Sequence, residues 1–351
     1  MMEMDLEGGS NHDSLGHAVV TLQTVADRAG VSPSTVSRIL NGTARVSEAK
    51  RERVSQVIEE LGFRPNLLAR SLAGGKTMSI GVLTQYIDSP FYGAGLRGIE
   101  EVLSDHGYIP IVTSGLWERA RERDSLWSLV ERKVDGLIIL TSRLTDQDLQ
   151  EISERLPIVV TGRDLWGDNL QSLNFDNFFA GKLAAQHLLH LGHRDIAVIV
   201  GPSDHKDSEE RLAGIVSHAS ASSLQVDDRL ITMSDYTERG GHRAMQSIIS
   251  KNIPFSAVVA LNDQMALGAI LALGQAGLRV PDDVSVIGMD DLPSAAFFSP
   301  PLTSVSQPVY EMGRHAADML LNVVAGNGVE LPRGLSLNPK LVIRDSTRRQ
   351  Y

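Results

Sequence analysis

A small all-α head of helix-turn-helix type, joined to a larger α/β body of two doubly wound parallel-sheet lobes, is the fold class that the sequence predicts. Three observations lead there. Charge is segregated along the 351 residues: the chain carries −10 overall, yet residues 21–76 hold nine Lys or Arg against five Asp or Glu. A basic head on an acidic body suggests two jobs on one chain. Within that head, two short amphipathic segments flank a glycine and a longer one follows. Beyond residue 78, strand-like apolar runs alternate with helical ones, the pattern of parallel sheets covered on both faces.

The composition sets limits before any motif is read. Apolar residues make up 42% and charged residues 22%, the balance of a globular protein. Cysteine is absent, which removes disulfides and thiolate chemistry and fits a reducing, cytoplasmic setting. The longest apolar runs, such as residues 196–201, are strand-sized and too short to span a membrane. Residues 1–20 carry four acids and no Lys or Arg, so they read as a disordered tail rather than a secretory signal.

In the head, Leu22, Val25, Ala26 and Ala29 recur at helical spacing behind Thr21 as N-cap, and Gly30 breaks the run. Ser32 caps the second segment and Pro33 takes the first helical position, where a missing N–H costs nothing. Val36, Ile39 and Leu40 form its apolar face, leaving Ser34, Ser37 and Arg38 on others. A third helix runs from Ser47 to Gly62 with a stripe of Val54, Val57, Ile58 and Leu61. Small residues at the start of the second helix suit a major groove about 12 Å wide, where Arg38 can bridge two guanine acceptors. A solvated arginine on a plain three-helix domain fits the same spacing. Residues 64–76 then offer Asn66 as a cap, two helical turns and Gly74-Gly75. A helix so short is marginal alone, so this segment reads as a hinge that orders only when held.

The run GVSPSTVSRILN, followed by RPNLLARSLAGGKT in the same order and spacing, resembles the DNA-binding head of the lactose/galactose-repressor (LacI/GalR) family, and the resemblance extends over nearly the whole chain from Thr21. It implies that Pro33, Ser34 and Arg38 read bases, and that Leu72 is a wedge pushed into the minor groove. It also implies that Ala69 touches the groove floor beside Leu72, and Arg70 is then read as a phosphate contact. It implies, for the body, a periplasmic-binding-protein-like fold with a ligand cleft between lobes: an N-lobe of about 77–175 and 306–331, and a C-lobe of about 176–305 and 332–345.

Ligands of open α/β sheets sit at the carboxyl ends of strands. Asp88, Phe91 and Tyr92 follow the first strand, Arg163 follows IVVTG, and Asp176 lies in LNFDN. Arg211 opens RLAG, Tyr236 lies in SDYTERGG, Asn262 begins NDQMALGA and Asp290 ends VIGMDD. The resemblance implies effector contacts for these nine. Guanidinium and carboxylate forks suit adjacent hydroxyls, and aromatic faces suit C–H surfaces, so a mono- or disaccharide is expected. Arg211 and Asp290 would clamp hydroxyls from one lobe and Asp88 from the other; structural ion pairs at strand ends are the plainer alternative.

Three further signals are set aside. Gly93, Gly95 and Gly98 match a dinucleotide fingerprint but stand about eight residues from the strand, and no acid ends the next strand, so no cofactor is expected. His187, His190 and His193 recur every three residues without a carboxylate at ligand spacing, so no metal is expected. Asp290-Asp291 has no identifiable nucleophile or base nearby, so the chain does not read as an enzyme. The expected assembly is a homodimer on near-palindromic operator DNA, since the chain stops at RDSTRRQY without a heptad repeat. A sugar receptor of a transport system would share the body but not the basic head, and a nucleobase effector stays open.

Overall fold

A computed structural model describes residues 20–40, 44, 46–63, 76–203, 205–326 and 336–350. The hinge segment, with Ala69, Arg70 and Leu72, and nearly all of the expected tail lie outside the described residues. The chain divides into two compact units, Met1–Thr77 and Met78–Tyr351.

In the first unit, α1 (Leu22–Ala29), α2 (Pro33–Leu40) and α3 (Glu48–Leu61) enclose a core of Val25, Ala26, Val36, Val54, Val57 and Phe63. Thr21 and Thr24 form a reciprocal capping box at the head of α1, and Gly30 ends it at φ +68°, where a side chain would be strained. Ser32 Oγ accepts from the Thr35 backbone N–H at the start of α2. Because Val36 is fully buried, helical geometry turns Ser34 and Arg38 outward, and both are exposed.

The second unit holds two sheets. The strands of the first are β1 (Ser79–Thr84), β2 (Ile109–Ser114), β3 (Gly136–Ile139), β4 (Ile158–Thr161), β5 (Leu170–Phe175) and β11 (Ser336–Leu337), ordered β11-β5-β4-β3-β1-β2. The second comprises β6 (Ile196–Val200), β7 (Ile231–Met233), β8 (Ala257–Ala260), β9 (Ser285–Asp290), β10 (Thr303–Ser306) and β12 (Lys340–Val342), ordered β12-β10-β9-β8-β6-β7. Every pairing is parallel except that of β10 with β12. In each sheet the winding reverses beside the first strand, β1 in one and β6 in the other, and the crevice of a doubly wound sheet opens at such a reversal.

The helices between the strands are α4 (Pro90–Asp105), α5 (Arg119–Glu131), α6 (Asp146–Ser153), α7 (Asn177–His190), α8 (Lys206–Ala221), α9 (Glu238–Ser250), α10 (Asp263–Gln275) and α11 (Val309–Val324). The chain passes between lobes near residues 176, 307 and 338. The third passage differs from the sequence expectation. Leu337 pairs with Phe175 in the first sheet, so the N-lobe reaches past 331, and the C-lobe runs on to Gln350, whose backbone N–H donates to Leu191. A two-residue strand carries too little periodicity to be read from sequence.

The dinucleotide-like glycines lie inside α4, where Gly95 and Gly98 serve packing. A Cβ at Gly98 would stand 2.2 Å from the Tyr310 carbonyl oxygen, and one at Gly313 would stand 2.1 Å from that of Gly95, so these glycines let α4 and α11 touch backbone to backbone. Gly98→Val should therefore cost about 1–3 kcal/mol of stability. Gly93→Ala, whose Cβ meets nothing within 4 Å, should leave it unchanged or slightly raised. Urea unfolding of both variants checks this; equal midpoints would contradict it.

Candidate functional site

The carboxyl ends of both sheets face one cleft, with a cavity of about 370 Å³. From the N-lobe come Tyr86, Asp88, Phe91 and Tyr92 after β1, Trp117 after β2 and Thr141 after β3. From the C-lobe come His205, Asp207 and Arg211 after β6, Tyr236 and Glu238 after β7, Asn262 and Gln264 after β8, and Asp290 ending β9. Topology alone thus assembles an aromatic wall opposite an ionic one.

Arg211 is the centre of the ionic wall. Its side chain is 5% exposed, and a buried guanidinium must find partners for its donors. Nε donates to Asn177 Oδ1 at 2.8 Å, Nη1 to the Leu261 carbonyl at 2.6 Å and Nη2 to Gln307 Oε1 at 2.7 Å. Asn177 and Gln307 stand at the first and second interlobe passages, so one side chain ties the cleft to both. Arg211 Nη1 is also 3.6 Å from Asp290 Oδ1, an ionic contact longer than a hydrogen bond.

Asp290 Oδ1 is buried and has no hydrogen-bond partner. An orphaned buried acceptor costs free energy, and a ligand hydroxyl would satisfy it. Burial pushes the Asp290 carboxyl up to about 7, with Arg211 pulling it down and Asp207 pushing it further up. Asp263, buried behind it, is also raised, first by burial and then by Asp290; its oxygens accept from Ser304 Oγ at 2.6 Å and the Leu292 N–H at 2.7 Å. The neighbour of the sequence pair is differently employed: Asp291 binds Arg344 at 2.7 Å.

The aromatic wall bridges the lobes. Trp117 meets His205 edge-on at 4.5 Å between ring centroids and lies 6.3 Å from Tyr236. Gln85 Oε1 accepts from the Trp117 backbone N–H at 2.7 Å, and Arg143 Nη1 donates to its carbonyl at 2.9 Å. Burial lowers the His205 imidazole and raises the Tyr236 phenol, in each case favouring the neutral form. A Cβ at Gly201 would fall 2.2 Å from the Tyr236 ring, so only glycine lets that ring lie against the end of β6. At the cleft mouth Ser89 Oγ donates to Gln264 Oε1 at 3.3 Å across the lobes. Leu116, Trp117, Thr141, Tyr236 and Asp290 all have positive φ; strain of this kind gathers where a loop tip must aim a side chain.

Seven of the nine sequence candidates therefore line one cavity: Asp88, Phe91, Tyr92, Arg211, Tyr236, Asn262 and Asp290. Asn262 is largely occupied with structure, capping α10 through Met265 N–H and donating to the Tyr236 carbonyl at 3.0 Å. Arg163 lies outside this cavity, in an adjoining one, held by Asp146 at 3.0 Å and the carbonyls of Ser142 and Leu144. Asp176 lines neither; it caps α7, accepting from Phe179 N–H at 2.8 Å. Its strand-end position was the reason to include it, but the Asp-Asn-Phe-Phe start of a helix is as good a capping signal. Trp117, His205 and Asp207 were missed, because a loop tip and the first turn of a helix carry no periodicity that marks a site.

The three regularly spaced histidines do not converge. His187 Nε2 pairs with Thr347 Oγ1 at 2.9 Å, and His193 sits between Ser256 Oγ and the Arg348 carbonyl, pinning the C-terminal segment. No cluster of three metal-ligating side chains occurs among the described residues.

Comparisons with known proteins match this architecture. Residues 21–66 match the family model for bacterial regulatory proteins, lacI family, and residues 185–347 that for a periplasmic binding protein-like domain. The ribose operon repressor of Escherichia coli (strain K12) is 37% identical over 93% of this chain and 100% of its own length. This chain belongs to the LacI family. It combines, as a regulator of that family does, a DNA-binding head with a ligand-binding body. Among solved structures, the lac repressor dimer bound to operator and the anti-inducer ONPF is 31% identical, with a TM-score of 0.82 over 94% of this chain and 99% of that one. The transcriptional regulator CelR in complex with cellobiose is 34% identical, with a TM-score of 0.70 over 93% and 99%. No described helix of this LacI-family protein is long and apolar enough to cross a membrane.

The Asp290 environment makes a pH prediction. A carboxyl held above its ordinary range in the folded state favours folding while protonated. That contribution is whole below the unfolded value near 3.8 and is lost as pH climbs through about 7. Stability of the wild type relative to Asp290→Asn should thus fall between about pH 4 and 7 and level off above. Denaturant titrations across that range check it; a flat difference would contradict it.

Proposed function

We propose that this LacI-family regulator is a homodimeric transcriptional repressor, working in the cytoplasm, whose grip on a near-palindromic operator is set by a sugar in the interlobe cleft. The observation that carries the reading is the Arg211 network. A ligand that recruits Arg211 and fills the orphaned Asp290 acceptor acts on the same guanidinium that holds Asn177 and Gln307 at the passages between lobes. Occupancy is then coupled to lobe orientation, and such couplings are typically about 1–3 kcal/mol.

In this reading Arg211 and Asp290 take adjacent hydroxyls, Asp88 takes one from the opposite lobe, and Phe91, Tyr92 and Tyr236 present apolar faces to the ring. Asn262 orients Tyr236 rather than the ligand, and Arg163 and Asp176 have no contact with this ring. In the head, Arg38 reads guanine, with Pro33 and Ser34 beside it. In residues 64–76 Leu72 opens the central step, Ala69 lies against the groove and Arg70 meets phosphate. Nothing in the proposed role calls for catalysis.

Capture of genomic fragments by the purified protein, followed by release with a panel of sugars, tests the whole reading. Arg38→Ala should lose about 10- to 100-fold in affinity for a captured fragment, with relaxed preference at the base pair it reads. Unchanged affinity and preference would remove Arg38 from readout. Arg211→Ala should still capture fragments but no longer release them with the sugar that works on the wild type. Normal release would remove Arg211 from the site.

A further inference from the structure

A second cavity of about 340 Å³ adjoins the first, and Thr141, His205 and Asp207 line both. We propose, building on the sugar reading above, that the effector is a neutral glycan of at least two units whose second unit occupies this second chamber.

The two chambers are nearly equal in size but opposite in character. The first is walled by carbon-rich rings, suited to one face of a sugar ring. The second has no aromatic side chain apart from His205; it presents the hydroxyls of Ser142, Thr145 and Thr161 and the guanidiniums of Arg143 and Arg163. Such a mixed wall donates and accepts in alternation, as a polyol does.

Its charges argue against a phosphate or carboxylate there. Arg143 donates to the Trp117 carbonyl at 2.9 Å, Arg163 is spoken for by Asp146 at 3.0 Å and two carbonyls, Lys206 pairs with Glu210 at 3.5 Å, and the Asp207 carboxylate lines the chamber. An anion would gain little from paired cations and would face Asp207 directly. Hydroxyls meet no such penalty.

The junction suits a glycosidic link. Trp117 stands edge-on against His205 there, and its buried indole N–H has no hydrogen-bond partner. Indole is a donor only, so it calls for an acceptor such as a ring or bridging oxygen. Two residues that line the first chamber thus carry a buried polar atom without a hydrogen-bond partner, the Asp290 acceptor and the Trp117 donor.

Calorimetry on the full chain tests this with cellobiose, maltose, sucrose and trehalose against glucose, ribose and galactose, with glucose 6-phosphate as the charged control. One of the disaccharides should bind at least 30-fold more tightly than every monosaccharide. Ser142→Trp, which fills the second chamber, should weaken that disaccharide 30-fold or more, whereas its affinity for the best monosaccharide, which needs only the first chamber, should change less than threefold, separating obstruction from misfolding. A monosaccharide that binds as tightly as the best disaccharide, a preference for glucose 6-phosphate, or a Ser142→Trp protein within twofold of wild type each overturns the two-chamber inference while leaving the sugar reading standing. If none of these saccharides binds, the sugar reading itself fails and takes the inference with it.

Discussion

The satisfaction of one buried guanidinium organises the body of this protein. Arg211 cannot stay charged and dry without partners, and the partners it has are Asn177, Leu261 and Gln307. Two of those lie where the chain passes from lobe to lobe, and the third ends β8. The Arg211 side chain therefore fixes the C-lobe wall of the cleft and the passages together. A group that competes for its donors, or supplies the acceptor it reaches only at 3.6 Å, alters both. Coupling between the cleft and the interlobe passages then needs no long pathway, since it is local to one side chain.

The cleft around it is built to be incomplete. Asp290 is raised by burial and left with an unpaired oxygen, and Trp117 keeps an unpaired N–H. Buried polar groups are nearly always satisfied in folded proteins, so two unpaired groups on residues lining one cleft single it out as the place where a ligand has partners to supply. Non-glycine residues at positive φ at five places around the cavity fit the same picture: the loops hold aim at some cost in local conformation, which the two α/β sheets beneath them sustain.

Much of this was legible in the sequence, and the reasons differ by element. The head could be read nearly to the residue because caps leave chemical signatures: Thr21, Gly30, Ser47 and Gly62 all bound helices as expected. The buried strands could be read because β3, β4, β6 and β8 are buried throughout and apolar but for Thr161. Short strands such as β7, β11 and β12 could not. The cavity lining was legible where a charged residue ends or closely follows a strand, as at Asp290 and Asp88, whereas Arg211, inside α8, was legible only through the resemblance. It failed at Asp176, where a capping role mimics a ligand role, and at Arg163, which faces the adjoining chamber. Trp117 comes from a loop, and His205 and Asp207 from the cap and first turn of α8, whose places only the folded topology defines.

The central claim is that the cleft and the head of this LacI-family regulator share one equilibrium, and thermodynamic reciprocity tests it most directly. The sugar found to release the operator should be titrated calorimetrically into free protein and into the protein–operator complex. The account predicts that its affinity falls in the complex by the same factor, about 10- to 100-fold, by which the sugar weakens operator binding. Equal sugar affinity in the two states would contradict it.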